Sequence, residues 1–426
     1  MMSIAKAYNY LFFSFFLIFL KLIPIGIETQ PLVALIFALL ILMHGKYDFT
    51  LIKRDVFFVY ILMFLILVYF FFTLLYHHWF SAFVDLVKYL VGPLIYLALR
   101  RYPHKVSIKT ITSVVLMLSS VALFILLLPG VAQMVFYFII SRAENISGSE
   151  FRGISILTPE PSYFSVFEII LLIEIENKLS DLSMSLRDRK HLKMLKTVVI
   201  ILTFLTKSVF GIFIAVLFLF PSFSLKKGLI TFLSIAAAIF IGFMIYTNLF
   251  PESRISQVIS TVQFLLTGGD FSLLDLVFIQ ESSGGARIIL NFFGFASIIQ
   301  HPFGSGLGSF PSLLQGYGDY FELDLASHDV LSLADHIKFY PQTYLANLVN
   351  DIGIFAFILI PILFVNNDNS NKNFSSKKGI CLLLMIFFQS QITSPAFWFV
   401  MAISKNNNSF IFPFQNPFFK KRIKET

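Results

Sequence analysis

The chain alternates long apolar runs with short polar stretches. The runs lie near residues 7–23, 27–43, 56–76, 79–99, 106–128, 162–176, 197–220, 229–249, 341–364 and 380–403. A helix needs about 20 apolar residues to cross a hydrocarbon core of roughly 30 Å. The pattern therefore predicts an all-α polytopic membrane protein with about 10–12 transmembrane helices. The first run follows Lys6 and lacks a small-residue cleavage site, so it reads as a retained span.

Composition sharpens this picture. Apolar residues make up 57% of the 426 positions and charged residues 13%, against about 25% charged in a soluble domain. A water-soluble enzyme is excluded. The single cysteine, Cys381, excludes an internal disulfide framework and a CxxC metal site.

The net charge of +8 invites a nucleic-acid partner until the charges are placed. Arg100, Arg101, Lys105 and Lys109 form one basic cluster, and Lys178, Arg187, Arg189, Lys190, Lys193 and Lys196 another. Lys226-Lys227, Lys372 with Lys377-Lys378, and the tail Lys420-Lys421-Arg422-Lys424 follow the same rule. Each lies between apolar runs, as expected of cytoplasmic loops, and nucleic acid drops out as a partner. From Pro251 to Tyr340, by contrast, three basic residues face nine acids. That segment is placed outside the cytoplasm.

These signs conflict if 197–220 is one span, because the acidic segment would then lie inside. The conflict disappears if the chain turns back at Lys207-Ser208, making two arms of about ten to twelve residues that must pack within the bundle or thin the bilayer. Lys207 then sits where its charge is solvated, instead of costing about 2.5–3.5 kcal/mol in mid-span. A similar break between Gln389 and Pro395 returns the tail to the cytoplasm, giving about twelve crossings with both termini inside. The resulting division is 1–250, a transmembrane bundle with an outer loop at 129–161; 251–340, a long outer loop with interfacial helices; and 341–426, further transmembrane helices with a basic cytoplasmic tail. No repeat is visible, and Asn366 to Asn371 reads as a polar loop.

Candidate chemistry concentrates on the outer side. Arg152-Gly153 precede Thr158-Pro159-Glu160-Pro161-Ser162-Tyr163-Phe164-Ser165. Two prolines hold Glu160 on irregular backbone, and Ser162 is placed to cap the next helix. Irregular backbone at membrane depth survives when buried in protein or lining water; the plainer reading is a helix entrance with a solvated carboxylate. Gly304, Gly306 and Gly308 lack the preceding strand and following Gly-Lys-Ser/Thr of a phosphate loop, so they read as a tight turn. Asp85 and Lys88, three apart on a helix, read as a structural ion pair. Glu168 is assigned no role. His328 and His336 lie among Asp324, Asp329 and Asp335, a grouping common in loops, and no metal is assigned there.

Four stretches, in order, carry a family resemblance. The Pro-Glu-Pro-Ser-Tyr-Phe string after Arg152 resembles the Wzy-type O-antigen or capsular repeat-unit polymerases. Ser283-Gly284-Gly285-Ala286-Arg287, with Gln300-His301-Pro302-Phe303-Gly304-Ser305-Gly306-Leu307-Gly308, resembles a segment shared by O-antigen polymerases and ligases. Thr206-Lys207-Ser208 is similar to the family's Ser-Arg turn, with lysine replacing arginine and the order changed. Tyr340-Pro341-Gln342-Thr343-Tyr344-Leu345 leading to Asn350-Asp351-Ile352-Gly353 is similar to its His-Asn-x-x-Leu…Glu-x-Gly stretch. Pro341 stands where the family often has histidine, and His336 lies five residues earlier.

The resemblance implies a GT-C-like glycosyltransferase in the bacterial inner membrane. Its substrates would be oligosaccharide repeat units on undecaprenyl pyrophosphate, and its partners membrane lipids, a flippase and a chain-length regulator. Arg152, Lys207 and Arg287 are the expected pyrophosphate-binding cations, since guanidinium forks match phosphate oxygens; the alternative for each is snorkelling to lipid headgroups. Glu160 is the expected general base with His336 in reserve, and Tyr163 and Gln342 are expected to touch substrate. No metal or cofactor is required. An O-antigen ligase and a flippase or exporter without chemistry remain the alternatives. Transport predicts polar residues spread through many spans and two similar halves, whereas polar groups here gather on one side.

Overall fold

The computed structural model describes residues 3–22, 30–44, 54–75, 79–101, 106–140, 153–181, 183–219, 282–325, 331, 339–364, 376–386 and 394–406. Arg152, His328, His336, the apolar run 229–249 and the loop residues 251–281 lie outside the described residues.

The described helices are α1 (Ile4–Ser14), α2 (Leu32–Met43), α3 (Arg54–Leu74), α4 (Trp79–Arg101), α5 (Ile108–Leu127), α6 (Pro129–Ile139), α7 (Phe164–Leu179), α8 (Leu186–Thr206), α9 (Val209–Leu219), α10 (Ser282–Gln300), α11 (Phe310–Tyr320), α12 (Tyr344–Ile352), α13 (Leu359–Phe364), α14 (Ser376–Leu384) and α15 (Ala396–Asn406). A 3₁₀ turn over Gly353–Ile358 joins α12 to α13. Among the described residues the only extended pairing is an isolated antiparallel bridge between Leu20 and Ile140. Among the described residues, three helical stretches, Arg54–Leu74, Ile108–Leu127 and Tyr344–Leu363, are long and apolar enough to cross a membrane.

Local sequence explains where several helices begin. Ser107 Oγ accepts from Thr110 N at 3.1 Å and Ser185 Oγ from Asp188 N at 3.1 Å, capping α5 and α8. The second cap corrects the expectation that the basic cluster from Arg187 to Lys196 is a loop. Leu, Lys, Arg and Met are good helix formers, so α8 starts at Leu186 and carries Arg187 to Lys196 within the helix. The turn at Lys207-Ser208 is present, between α8 and α9. The arms are unequal, because α8 runs on through the basic stretch to 21 residues.

Helix α4 is central: α2, α3 and α15 pack against it. The approach of α15 depends on Gly92, where an added Cβ would lie 2.1 Å from Trp398 Cδ1. Trp398 is fully buried, edge-on to Tyr96 and Tyr344. Arg100 Nε and Asp55 Oδ2 make a buried pair at 2.7 Å, and the Tyr96 hydroxyl donates to the same carboxylate. A smaller cluster of Ala286, Ile289, Leu290, Phe293, Phe310, Leu314 and Tyr317 joins α10 to α11. That cluster, with α12 packed on α10, fixes the helix bearing Arg287.

Candidate functional site

The site begins where residues 153–157 run along the end of α8. Ile154 N donates to Leu205 O at 3.2 Å. A Cβ on Gly153 would lie 2.1 Å from the Thr206 carbonyl carbon, so only glycine permits this approach. Leu157 turns the chain with a φ of 54°, a left-handed conformation unfavourable for a side chain with a Cβ. Thr158 Oγ1 donates to the Glu160 carbonyl at 2.8 Å, and Glu160 is extended at φ −135°, ψ 152° between its prolines. Ser162 does not cap the following helix. A 3₁₀ turn over Pro161–Tyr163 intervenes, and the Ser162 hydroxyl points back to Glu160 Oε2 at 3.5 Å. Pro161 already supplies a donor-free first position, which lessens the need for a side-chain cap.

Arg287, 127 residues away, donates from its guanidinium to Glu160 Oε2. The guanidinium carbon also lies 5.7 Å from the Tyr163 ring centre, within cation–π range. The side chains of the ion pair are 30% and 35% exposed, leaving both groups within reach of a ligand. Tyr163 in turn approaches Gln342, hydroxyl to Oε1, at 3.4 Å. Four residues expected at a site, Glu160, Tyr163, Arg287 and Gln342, are thus brought together from three stretches of chain.

Asn291 holds this assembly in place. One turn beyond Arg287 on α10, its Oδ1 accepts from Gln342 N at 2.8 Å and Thr343 N at 3.2 Å. Sequence reading missed Asn291, although an asparagine in an otherwise apolar helix four residues after Arg287 was a usable signal. Lys207 occupies the α8–α9 turn at φ 48°, ψ 25° and is exposed. Its preceding residue, Thr206, is the one against which Gly153 packs.

The glycine stretch is a turn, with φ of 85°, 99° and 71° at Gly304, Gly306 and Gly308. It is bound to the Asn350-Asp351-Ile352-Gly353 stretch by Ser305 N to Asn350 O at 2.9 Å, Gly306 N to Asp351 O at 3.1 Å and Gly308 N to Asp351 Oδ2 at 2.9 Å. Tyr89 OH donates to the same Asp351 oxygen at 2.6 Å, and Tyr317 OH to Asn350 Oδ1 at 2.8 Å. Burial, with smaller contributions around it, pushes the Tyr317 hydroxyl up to about 12, so it stays a donor at neutral pH. The Tyr340 hydroxyl is raised as well, by burial first and then by Asp85 and Asp351. Lys88 Nζ meets Asp85 Oδ1 at 2.5 Å, as the spacing predicted, and sits 5.1 Å from the Tyr340 ring centre. Glu168 is fully buried.

A half-exposed carboxylate beside a guanidinium can accept a proton and hold an anion at adjacent points. No protein-family model matches the chain, and no curated protein or solved structure matches it either.

Proposed function

We propose that the chain polymerises undecaprenyl-pyrophosphate-linked oligosaccharide repeat units into O-antigen or capsular polysaccharide. In this reading it spans the bacterial inner membrane about twelve times with a GT-C-like arrangement. Both termini are cytoplasmic and the Glu160–Arg287 pair faces outward. The observation that carries the reading is that pair: two stretches carrying the family resemblance, 127 residues apart, meet through their charged side chains.

The reaction asks little of the protein. An acceptor hydroxyl oxygen attacks the donor's anomeric carbon, the C1–O bond breaks, and undecaprenyl pyrophosphate leaves with the electron pair. Arg287, with Arg152 and Lys207, offsets the charge growing on the leaving group. Glu160 takes the hydroxyl proton, with His336 in reserve. Tyr163 and Gln342 line the approach to the sugar. Restraining donor and acceptor beside the carboxylate supplies a further share of the acceleration.

The test is a gel of surface polysaccharide from a deletion strain beside a complemented one. Lipid A-core carrying one repeat unit is expected, because flipping and ligation continue without polymerisation. Bare core with polymer accumulating on the carrier lipid would identify a ligase instead. Bare core with single units held on the cytoplasmic leaflet would identify a flippase.

A further inference from the structure

Glu160 and Arg287 differ in how their backbones are held. Glu160 is bracketed by Pro159 and Pro161, and its carbonyl is held by Thr158 Oγ1 at 2.8 Å. Proline fixes φ on both sides, so the carboxylate has little backbone freedom with which to follow a departing partner. Arg287 reaches it through a long unbranched side chain from the first turns of α10. Its guanidinium also rests near the Tyr163 ring, 5.7 Å from the centre. The ring offers a seat that does not depend on which anion the guanidinium binds. A carboxylate on restrained backbone and a long-armed cation seated near an aromatic ring form an exchangeable pair.

We infer that Glu160 is a resident counter-ion of Arg287, and that a diphosphate binds here by displacing it, which releases Glu160 Oε2 from the guanidinium to accept a proton. This rests on the proposed reading of the site and adds an order of events to it. While Arg287 engages Glu160, an acceptor site on Oε2 is committed to a guanidinium N–H and is closed to a hydroxyl. A diphosphate offers Arg287 more charge and a bidentate geometry. Taking Arg287 onto that ligand leaves the proline-held carboxylate where the acceptor hydroxyl arrives. That acceptor site thus opens when the leaving group is seated, which disfavours attack on an unanchored donor.

The experiment measures binding of geranylgeranyl pyrophosphate to the full chain in lipid nanodiscs, comparing wild type, Glu160→Gln, Glu160→Asp and Arg287→Ala. Removing the competing carboxylate is expected to tighten binding about two- to fivefold in Glu160→Gln, the range for a part-exposed ion pair. Glu160→Asp keeps the charge but withdraws it by one methylene, so it should tighten binding by a smaller factor. Arg287→Ala should bind far more weakly. Tightening in both Glu160 variants supports displacement. If neither tightens while wild type binds, displacement is wrong and the diphosphate site stands. Tightening in Glu160→Gln alone would mean simple charge removal, which also overturns displacement. If Arg287→Ala binds as wild type does, or wild type does not bind at all, the diphosphate reading itself falls.

Discussion

Asn291 and Gln342, 51 residues apart in the chain, are joined by a 2.8 Å hydrogen bond from the Gln342 backbone N–H to the Asn291 side-chain oxygen. A second bond from Thr343 N makes Asn291 the link between the Arg287 helix and the start of α12. Asn291→Ala leaves two backbone donors without that acceptor and should cost about 1–3 kcal/mol. Asn291→Asp keeps the acceptor and should recover most of the loss. Thermal unfolding followed by size-exclusion chromatography in detergent, read beside an extension assay, checks both variants.

Loss of either member of the charged pair should stop chain extension while leaving membrane insertion intact. Arg287→Ala and Glu160→Ala are each expected to lower extension at least about 10²-fold. Arg287→Lys should recover part of this, because lysine supplies charge without the guanidinium fork. Near-normal polymer ladders from both alanine variants would sink the site.

Two glycines of the 304–308 turn should respond differently to alanine. Both have positive φ, so each substitution carries a backbone cost of about 1–2 kcal/mol. At Gly306 the nearest atom to a new Cβ is Thr73 Oγ1 at 3.2 Å, whereas at Gly308 it is Asp85 Oδ2 at 1.9 Å. Gly308→Ala should therefore lower the thermal midpoint clearly more than Gly306→Ala. Equal shifts would mean that Asp85 yields readily.

Lys207 separates a turn residue from a working cation. Its left-handed backbone suits glycine better, so Lys207→Gly should hold or raise thermal stability, by up to about 1 kcal/mol. If Lys207 contributes to the pyrophosphate seat, extension should fall in the same variant. Unchanged extension in a protein of equal or greater stability would remove Lys207 from the site.

What could be read in advance follows from how local each cause is. The turn at Lys207 was legible because a lysine in mid-span is costly, and that cost belongs to one residue. The positive-φ turn at Gly304 to Gly308 was legible from glycine spacing. The α8 start was missed because the charge pattern outweighed helix propensity and the Ser185 cap. Ser162 was misassigned because its hydroxyl turns back toward Glu160 instead of onto the helix. The Tyr89–Asp351 bond joins positions 262 residues apart, and no local pattern marks such a tie. Meeting of Glu160 and Arg287 was expected only as a common level at one side of the membrane; their direct pairing was not.

The close fit of Trp398 against Gly92 bears on how the protein is made. The slot around Trp398 is formed by Gly92, Tyr96 and Tyr344, so α4 is made about 300 residues before the side chain that closes against it. Until α15 arrives, the Gly92 face of α4 lacks the indole that fills it. Synthesis and final packing are therefore separate events for this helix. A chain stopped before Ala396 should leave α4 unsealed and be cut by added protease faster than the full chain.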